Sequence, residues 1–227
     1  MKQTYALLLF SLLCSFVASA QIKKGDIVLG GNIDYSNQAG TSAQSGIPST
    51  TNSTKSNTIS INPSLGKAIR DNLVVGIDLA YSRDTYSYNT VGGPAENQVN
   101  NGFMAGVFVR RYKPIGAGFS LFGQAELSGN YTHTNNADPS STVILDHVNG
   151  YGFTLQFYPG IAYALNRRWQ LEMGLTDFFS LAYTHSKETQ EYSNQPTVNS
   201  SSHLFAFTSS LTGADEFTVG VRYLIGG

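Results

Sequence analysis

The sequence predicts an all-β protein, an eight-stranded antiparallel up-and-down transmembrane β-barrel, on three observations. Apolar side chains recur at every second residue along most of the chain, and no stretch carries the 3.6-residue period of an amphipathic helix. Charged residues make up 13% of the chain, against about 25% in ordinary soluble domains. The segments joining the apolar runs alternate between tight turns and long polar stretches. An even-stranded membrane barrel explains that alternation, and a soluble sandwich does not.

The predicted strands follow in chain order. The first, Asp26–Ser36 ("DIVLGGNIDYS"), sets Ile27, Leu29, Ile33 and Tyr35 on one face. The second, near Ser56–Ile69, presents Ile59, Ile61 and Leu65, and the third, Leu73–Tyr86, presents Leu73, Val75, Ile77, Leu79 and Tyr81. The fourth, Asn101–Tyr112, carries Phe103, Ala105, Val107 and Val109. The fifth, Phe119–His133, carries Phe119, Leu121, Ala125, Leu127 and Tyr131. The sixth is "GYGFTLQFYPGIAYAL", Gly150–Leu165, where Pro159 interrupts the apolar series and predicts a bulge. The seventh, Trp169–His185, presents Trp169, Leu171, Met173, Leu175, Phe179, Leu181 and Tyr183. The eighth runs from Leu204 to Ile225, with a bulge or break expected at "TGADE". Tight turns are expected at Arg70-Asp71-Asn72, Lys113–Gly118 and Asn166-Arg167-Arg168. Long loops are expected at Asn37–Lys55, Ser87–Asn100, Thr134–Asp146 and Ser186–Ser202.

In all eight strands the greasy residues are odd-numbered. The even face mixes glycines with a few long polar side chains, among them Asp34, Asp78, Arg110, Glu126, Glu172 and Arg222. Eight strands enclose an interior just wide enough for side chains. Small and paired polar groups suit that lumen, whereas an unpaired charge there is prohibitive. Glu172 and Arg222 lie at similar depth on adjacent strands and are expected to pair; Arg110 with Glu126 is a looser candidate. A soluble barrel of lipocalin type, with the odd face inside, would instead put Gly, Ser and Thr on a nearly uncharged exterior.

Aromatics mark both ends of the odd face: Trp169, Tyr163, Phe119 and Tyr223 at the short-turn end, and Tyr35, Tyr81, Tyr131, Tyr151 and Tyr183 at the other. Two such girdles match the two interfaces of a bilayer. Tyr151 and Tyr163 lie about 40 Å apart along a strand at ~3.3 Å per residue. A tilt near 45° reduces this to about 28 Å, the thickness of a hydrocarbon core.

Residues 1–20 are expected to be a secretory signal peptide. Lys2 supplies the positive start, Ala6–Val17 the apolar run and Ala18-Ser19-Ala20 the cleavage site. The single cysteine, Cys14, falls inside it. The barrel domain, 21–227, then holds no thiol for a disulfide, a nucleophile or a metal. Without Lys2, thirteen of the 14 Lys and Arg face 15 Asp and Glu, which excludes the basic surface of a nucleic-acid binder.

The chain resembles the small eight-stranded outer-membrane β-barrel family, akin to the outer-membrane protein X and W barrels of Gram-negative envelopes. The resemblance rests on "DIVLGGNIDYS", "FMAGVFVRRY", "FTLQFYPGIAYAL" and the closing "FTVGVRYLIGG". It implies outer-membrane lipid as surroundings, a monomer, short turns in the periplasm and long loops outside. In that family the last strand ends in an aromatic read by the barrel-assembly machinery. Here Tyr223 falls in the alternating pattern, and the chain finishes Ile225-Gly226-Gly227.

No phosphate loop, dinucleotide fingerprint or zinc spacing is present, and no catalytic, cofactor or metal residues are assigned. His133, His147, His185 and His203 all fall at the loop ends of strands and share the odd parity. A polar-tipped ring at headgroup level accounts for them; a metal site or a Ser/His/Asp set such as Ser141, Asp146 and His147 is the sharper alternative. The expected function is a non-enzymatic, structural or surface-interaction barrel. The alternatives are a narrow porin-like channel for small or apolar solutes and a lipid-modifying enzyme at the loop rim.

Overall fold

In a computed structural model, residues 22–44, 50–90, 95–137, 143–175, 178–192, 196–209 and 217–226 are described. The expected signal peptide and the "TGADE" segment lie outside them. Ten strands form: β1 (Ile27–Gln44), β2 (Thr50–Arg70), β3 (Leu73–Thr90), β4 (Ala95–Gly116), β5 (Phe119–Ala137), β6 (Val143–Ala164), β7 (Trp169–Leu175), β8 (Phe179–Tyr192), β9 (Val198–Thr208) and β10 (Phe217–Ile225). Each of β1 to β6 pairs antiparallel with the next. β7 and β8 both pair with β6, and β10 joins β7 to β1, which closes the ring. The seventh wall position is therefore β7 continued by β8, and the eighth is β10 with β9 above it. The wall is the predicted eight-stranded antiparallel barrel.

The parity also stands as predicted. Exposed large apolar residues are odd-numbered on nearly every strand, among them Ile33, Ile77, Leu79, Phe103, Val107, Leu127, Phe153, Leu155, Met173 and Val219. The buried residues are even-numbered: Val28, Ala68, Val74, Phe108, Arg110, Tyr112, Phe122, Gln124, Glu126, Ala162, Gln170, Glu172 and Leu224. The greasy face points outward.

Two expectations are corrected. The four long loops are mostly strand: β1 and β2 pair from Ile27–Lys67 up to Gln44–Thr50, and the other hairpins extend likewise. Period-2 hydrophobicity vanishes there because both faces meet water, yet the backbone ladder continues. Short polar side chains reinforce it, as in Asn37–Asn57 (2.7 Å), Ser87–Asn97 (2.8 Å) and Thr189–Asn199 (3.0 Å).

The second correction concerns Pro159: β6 itself does not bulge, staying in register with β5 through Gly123–Pro159, and the irregularity falls on the facing side, where the register steps from Gly160–Gly174 on β7 to Phe157–Phe179 on β8. On β6, Ala164 N–H donates toward the β5 side and Leu165 N–H to Trp169 on the β7 side. The odd residue 159 would accordingly aim its missing donor at β7 and β8. It meets the interval between them, since β6 pairs with β7 from Gly160 and with β8 from Phe157. A proline costs little where no ladder bond would form.

Glycines thin the wall where large side chains enter the lumen. Gly66 and Gly76 stand directly opposite each other, with the Phe108 ring over both. A Cβ on Gly76 would meet the Leu65 carbonyl, the Gly66 Cα and the Phe108 ring. Gly76→Val is expected to lower stability by about 1–3 kcal/mol, the usual cost of overpacking. A lowered urea midpoint for refolding in lipid vesicles checks it; an unchanged midpoint would show that both the Phe108 ring and the β2 backbone give way freely.

Candidate functional site: the barrel interior

The lumen is layered. At the short-turn end Ile22, Val28, Ala68, Val74, Phe108, Tyr112, Phe122, Ala162 and Leu224 form an apolar floor. Residues 22–26 fold across this end. Asn72 N–H donates to the Ile22 carbonyl at 2.9 Å and Gly25 N–H to Ala68 at 2.8 Å, and Ile22 is 1% exposed. An apolar floor was not foreseen on the even face.

A charged layer lies on that floor. Glu172 accepts from Arg110 Nη1 at 2.6 Å, from Arg222 Nε at 2.8 Å and from Tyr112 Oη at 2.7 Å. Arg110 also donates from Nε to Gln124 Oε1 at 2.6 Å and from Nη2 to Tyr158 Oη at 3.3 Å. Its guanidinium carbon lies 4.6 Å from the Phe122 ring centre, a cation–π seat on the floor. Arg222 reaches Ser64 Oγ with Nη1, and its side chain crosses the Cβ-free side of Gly30. The layer thus ties β2, β4, β5, β6, β7 and β10 across the lumen.

Of the expected pairs, Glu172 with Arg222 meets and Arg110 with Glu126 does not. Gln124, the register partner of Arg110, intervenes and donates to Glu126 Oε2 at 2.9 Å. The Arg110 side chain is long enough to span the lumen to the non-adjacent β7 instead. Asp78 and Glu126 lie on the loop side of this layer. Both flank the Cβ-free side of Gly106, and each keeps one buried carboxylate oxygen without a partner. Asp34 belongs to a separate cluster, accepting from Asn32 at 2.6 Å, Ser60 at 3.2 Å and Asn62 at 3.3 Å.

Tyr112, Tyr158 and Ser64 were missed as members of the network. The signal that could have found the two tyrosines is parity, since both are even-numbered whereas the girdle aromatics are all odd. Between Arg110, Phe122, Tyr158, Glu172 and Arg222 there remains a cavity of about 40 Å³, room for a few waters at most. As it stands the arrangement braces the wall from inside. Among the described residues no group of three or more His, Cys, Asp or Glu is placed to hold a metal ion.

No family model and no curated protein matches the chain. Among solved structures, the crystal structure of the outer membrane protein OprG from Pseudomonas aeruginosa is similar at a TM-score of 0.53 and 14% identity. The match covers 92% of this chain and 99% of that one. A major outer membrane protein from Thermus thermophilus aligns at a TM-score of 0.48 and 11% identity, over 88% and 98% of the two chains. The chain has the fold of the small outer-membrane β-barrels.

Proposed function

We propose that this protein is a monomeric, integral outer-membrane barrel with a closed lumen and no enzymatic activity. It serves as a structural component of the envelope or engages ligands and surfaces with its tall loop-side hairpins. Outer-membrane lipid surrounds the odd face, and barrel-assembly machinery inserts the chain after export. The outward apolar face between two aromatic girdles supports the location. The observation that carries the role is the Arg110–Glu172–Arg222 layer, at 2.6 and 2.8 Å, set across the lumen above an apolar floor. An ion would have to displace both guanidinium groups from their shared carboxylate to pass.

Two measurements test this. The detergent-refolded protein is expected to migrate differently on a gel before and after boiling, and to show no stable unit conductance in planar bilayers. Identical mobility would overturn the membrane barrel, and a steady single-channel step would overturn the closed lumen.

One observation favours a second reading, a lateral path for apolar solutes. Among the described residues β1 pairs with β10 only over Ile27–Gly31, and β9 pairs only with β8. Among the described residues no strand pairs with the β1 edge facing β10 and β9 above Gly31, and Tyr35–Thr41 and most of β9 are exposed on both faces. At the foot of this edge lies an apolar cleft of about 410 Å³ lined by Ile33, Ile61, Val219 and Val221. Gly31, Asn32 and Gly220 border both this cleft and the interior cavity. A solute entering from the loop side and stopped by the charged layer would leave sideways into lipid. Faster transfer of an apolar fluorophore into vesicles carrying the protein, without conductance, would select this path over the purely structural role.

A further inference from the structure

We propose that His185 and His203 form a binding site for a divalent first-row transition metal ion on the outer face of the loop-side hairpin. The two residues are direct register partners on β8 and β9. Their Nδ1 atoms lie 3.1 Å apart and their ring centres 4.3 Å apart. Tyr183 Oη, two residues below on β8, is 2.8 Å from the same His203 Nδ1. Tyr151, the β6 partner of His185, packs its ring 4.9 Å from that imidazole and fixes its orientation.

Three polar atoms converge at this exposed position. A neutral imidazole Nδ1 offers either one hydrogen or one lone pair. His203 Nδ1 therefore serves one of its two neighbours within the group, and the other is left to water. Protonating both rings would set two donors, both cationic, against each other. A metal ion resolves the geometry by accepting a lone pair from each ring. With metal–nitrogen bonds of about 2.0–2.1 Å, two adjacent ligands on one ion stand roughly 3.0–3.4 Å apart. The observed separation of 3.1 Å is that bite. The phenol is placed to accept from a metal-bound water or to ligate in its turn.

The protein supplies two nitrogens, and water fills the remaining positions, so the site is open and exchangeable. Imidazole ligation selects Cu(II) first and Zn(II) or Ni(II) after it, by the general order of divalent affinities. The other histidine pair lacks this geometry. His133 and His147 have ring centres 6.2 Å apart, and His133 Nδ1 is engaged by Asn149 Oδ1 at 2.7 Å.

The test titrates Cu(II) and Zn(II) into untagged, refolded protein in detergent by calorimetry. One Cu(II) is expected to bind per barrel, more tightly than Zn(II). That binding should be lost in His185→Ala and in His203→Ala and retained in His133→Ala. The boiling-dependent gel shift confirms that each variant is folded. Should a variant not refold, the electron paramagnetic resonance spectrum of Cu(II) on the unaltered protein decides, with coupling to two nitrogens expected. No binding by the unaltered protein, binding that survives either substitution, or coupling to fewer than two nitrogens overturns the proposal.

Discussion

Glu172→Gln is expected to destabilise the barrel by about 3–5 kcal/mol, the cost of leaving a buried charge without its partner. The side chain of Glu172 is 5% exposed and holds two guanidinium groups, of which Arg110 is 2% exposed. Glutamine keeps the shape and removes the charge. One end of its amide then presents hydrogens to Arg110, Arg222 or Tyr112, all of which donate to that carboxylate. In the floor beneath, Tyr112 Oη can accept from Arg110 Nη1 at 3.3 Å but carries no charge to replace the carboxylate. Replacing the whole triad at once, Arg110→Leu, Glu172→Leu and Arg222→Met, is expected to cost less than the single change. Apolar groups of similar volume in a buried ion cluster are often neutral or better. The check is the fraction folded in lipid vesicles against urea, read from the boiling-dependent gel shift. A single variant as stable as the parent would show that water reaches the layer and screens it.

The contrast between single and triple substitution also bears on what the sequence could reveal. Parity was legible across the apolar band, because a strand between lipid and lumen has a different surrounding on each side at every residue. The Glu172–Arg222 contact was legible because both residues stand at similar distances from the same rim on neighbouring strands. Gly220 is the register partner of Glu172, with Arg222 two residues further along β10. The Arg110–Glu172 contact was not legible. It crosses the lumen between strands that never pair, and strand spacing does not say which long side chains meet there. The apolar floor was hidden for a related reason. Val74, Phe108 and Phe122 have the hydropathy of lipid-facing residues, and only their even parity marks them as interior. The polar hairpin tops were read as loops because alternation carries no information where water lies on both sides.

That dependence on surroundings yields the other large expected effect, on the outer face. Leu127, Leu155 and Leu181 are register partners on β5, β6 and β8, and Leu155 is 45% exposed. Leu155 sits between the two girdle residues of its strand, Tyr151 and Tyr163, near mid-depth of the apolar band. Leu155→Arg is expected to cost about 2–4 kcal/mol, whereas Tyr151→Arg, four residues toward the rim on the same face, should cost about 0–1 kcal/mol. The cationic head at Tyr151 reaches the headgroups, and at Leu155 it does not. The depth dependence is the informative part. Tyr151 and Leu155 are similarly exposed, at 54% and 45%, so local packing alone would not make the leucine position much the costlier. If water bathed the odd face, an arginine at Leu155 would cost no more than one at Tyr151, since each head would be solvated where it stands. Unfolding both variants in vesicles of one lipid composition therefore separates lipid from water as the solvent of this face. A penalty at Leu155 that exceeds the one at Tyr151 requires a low-dielectric layer centred between the two girdles.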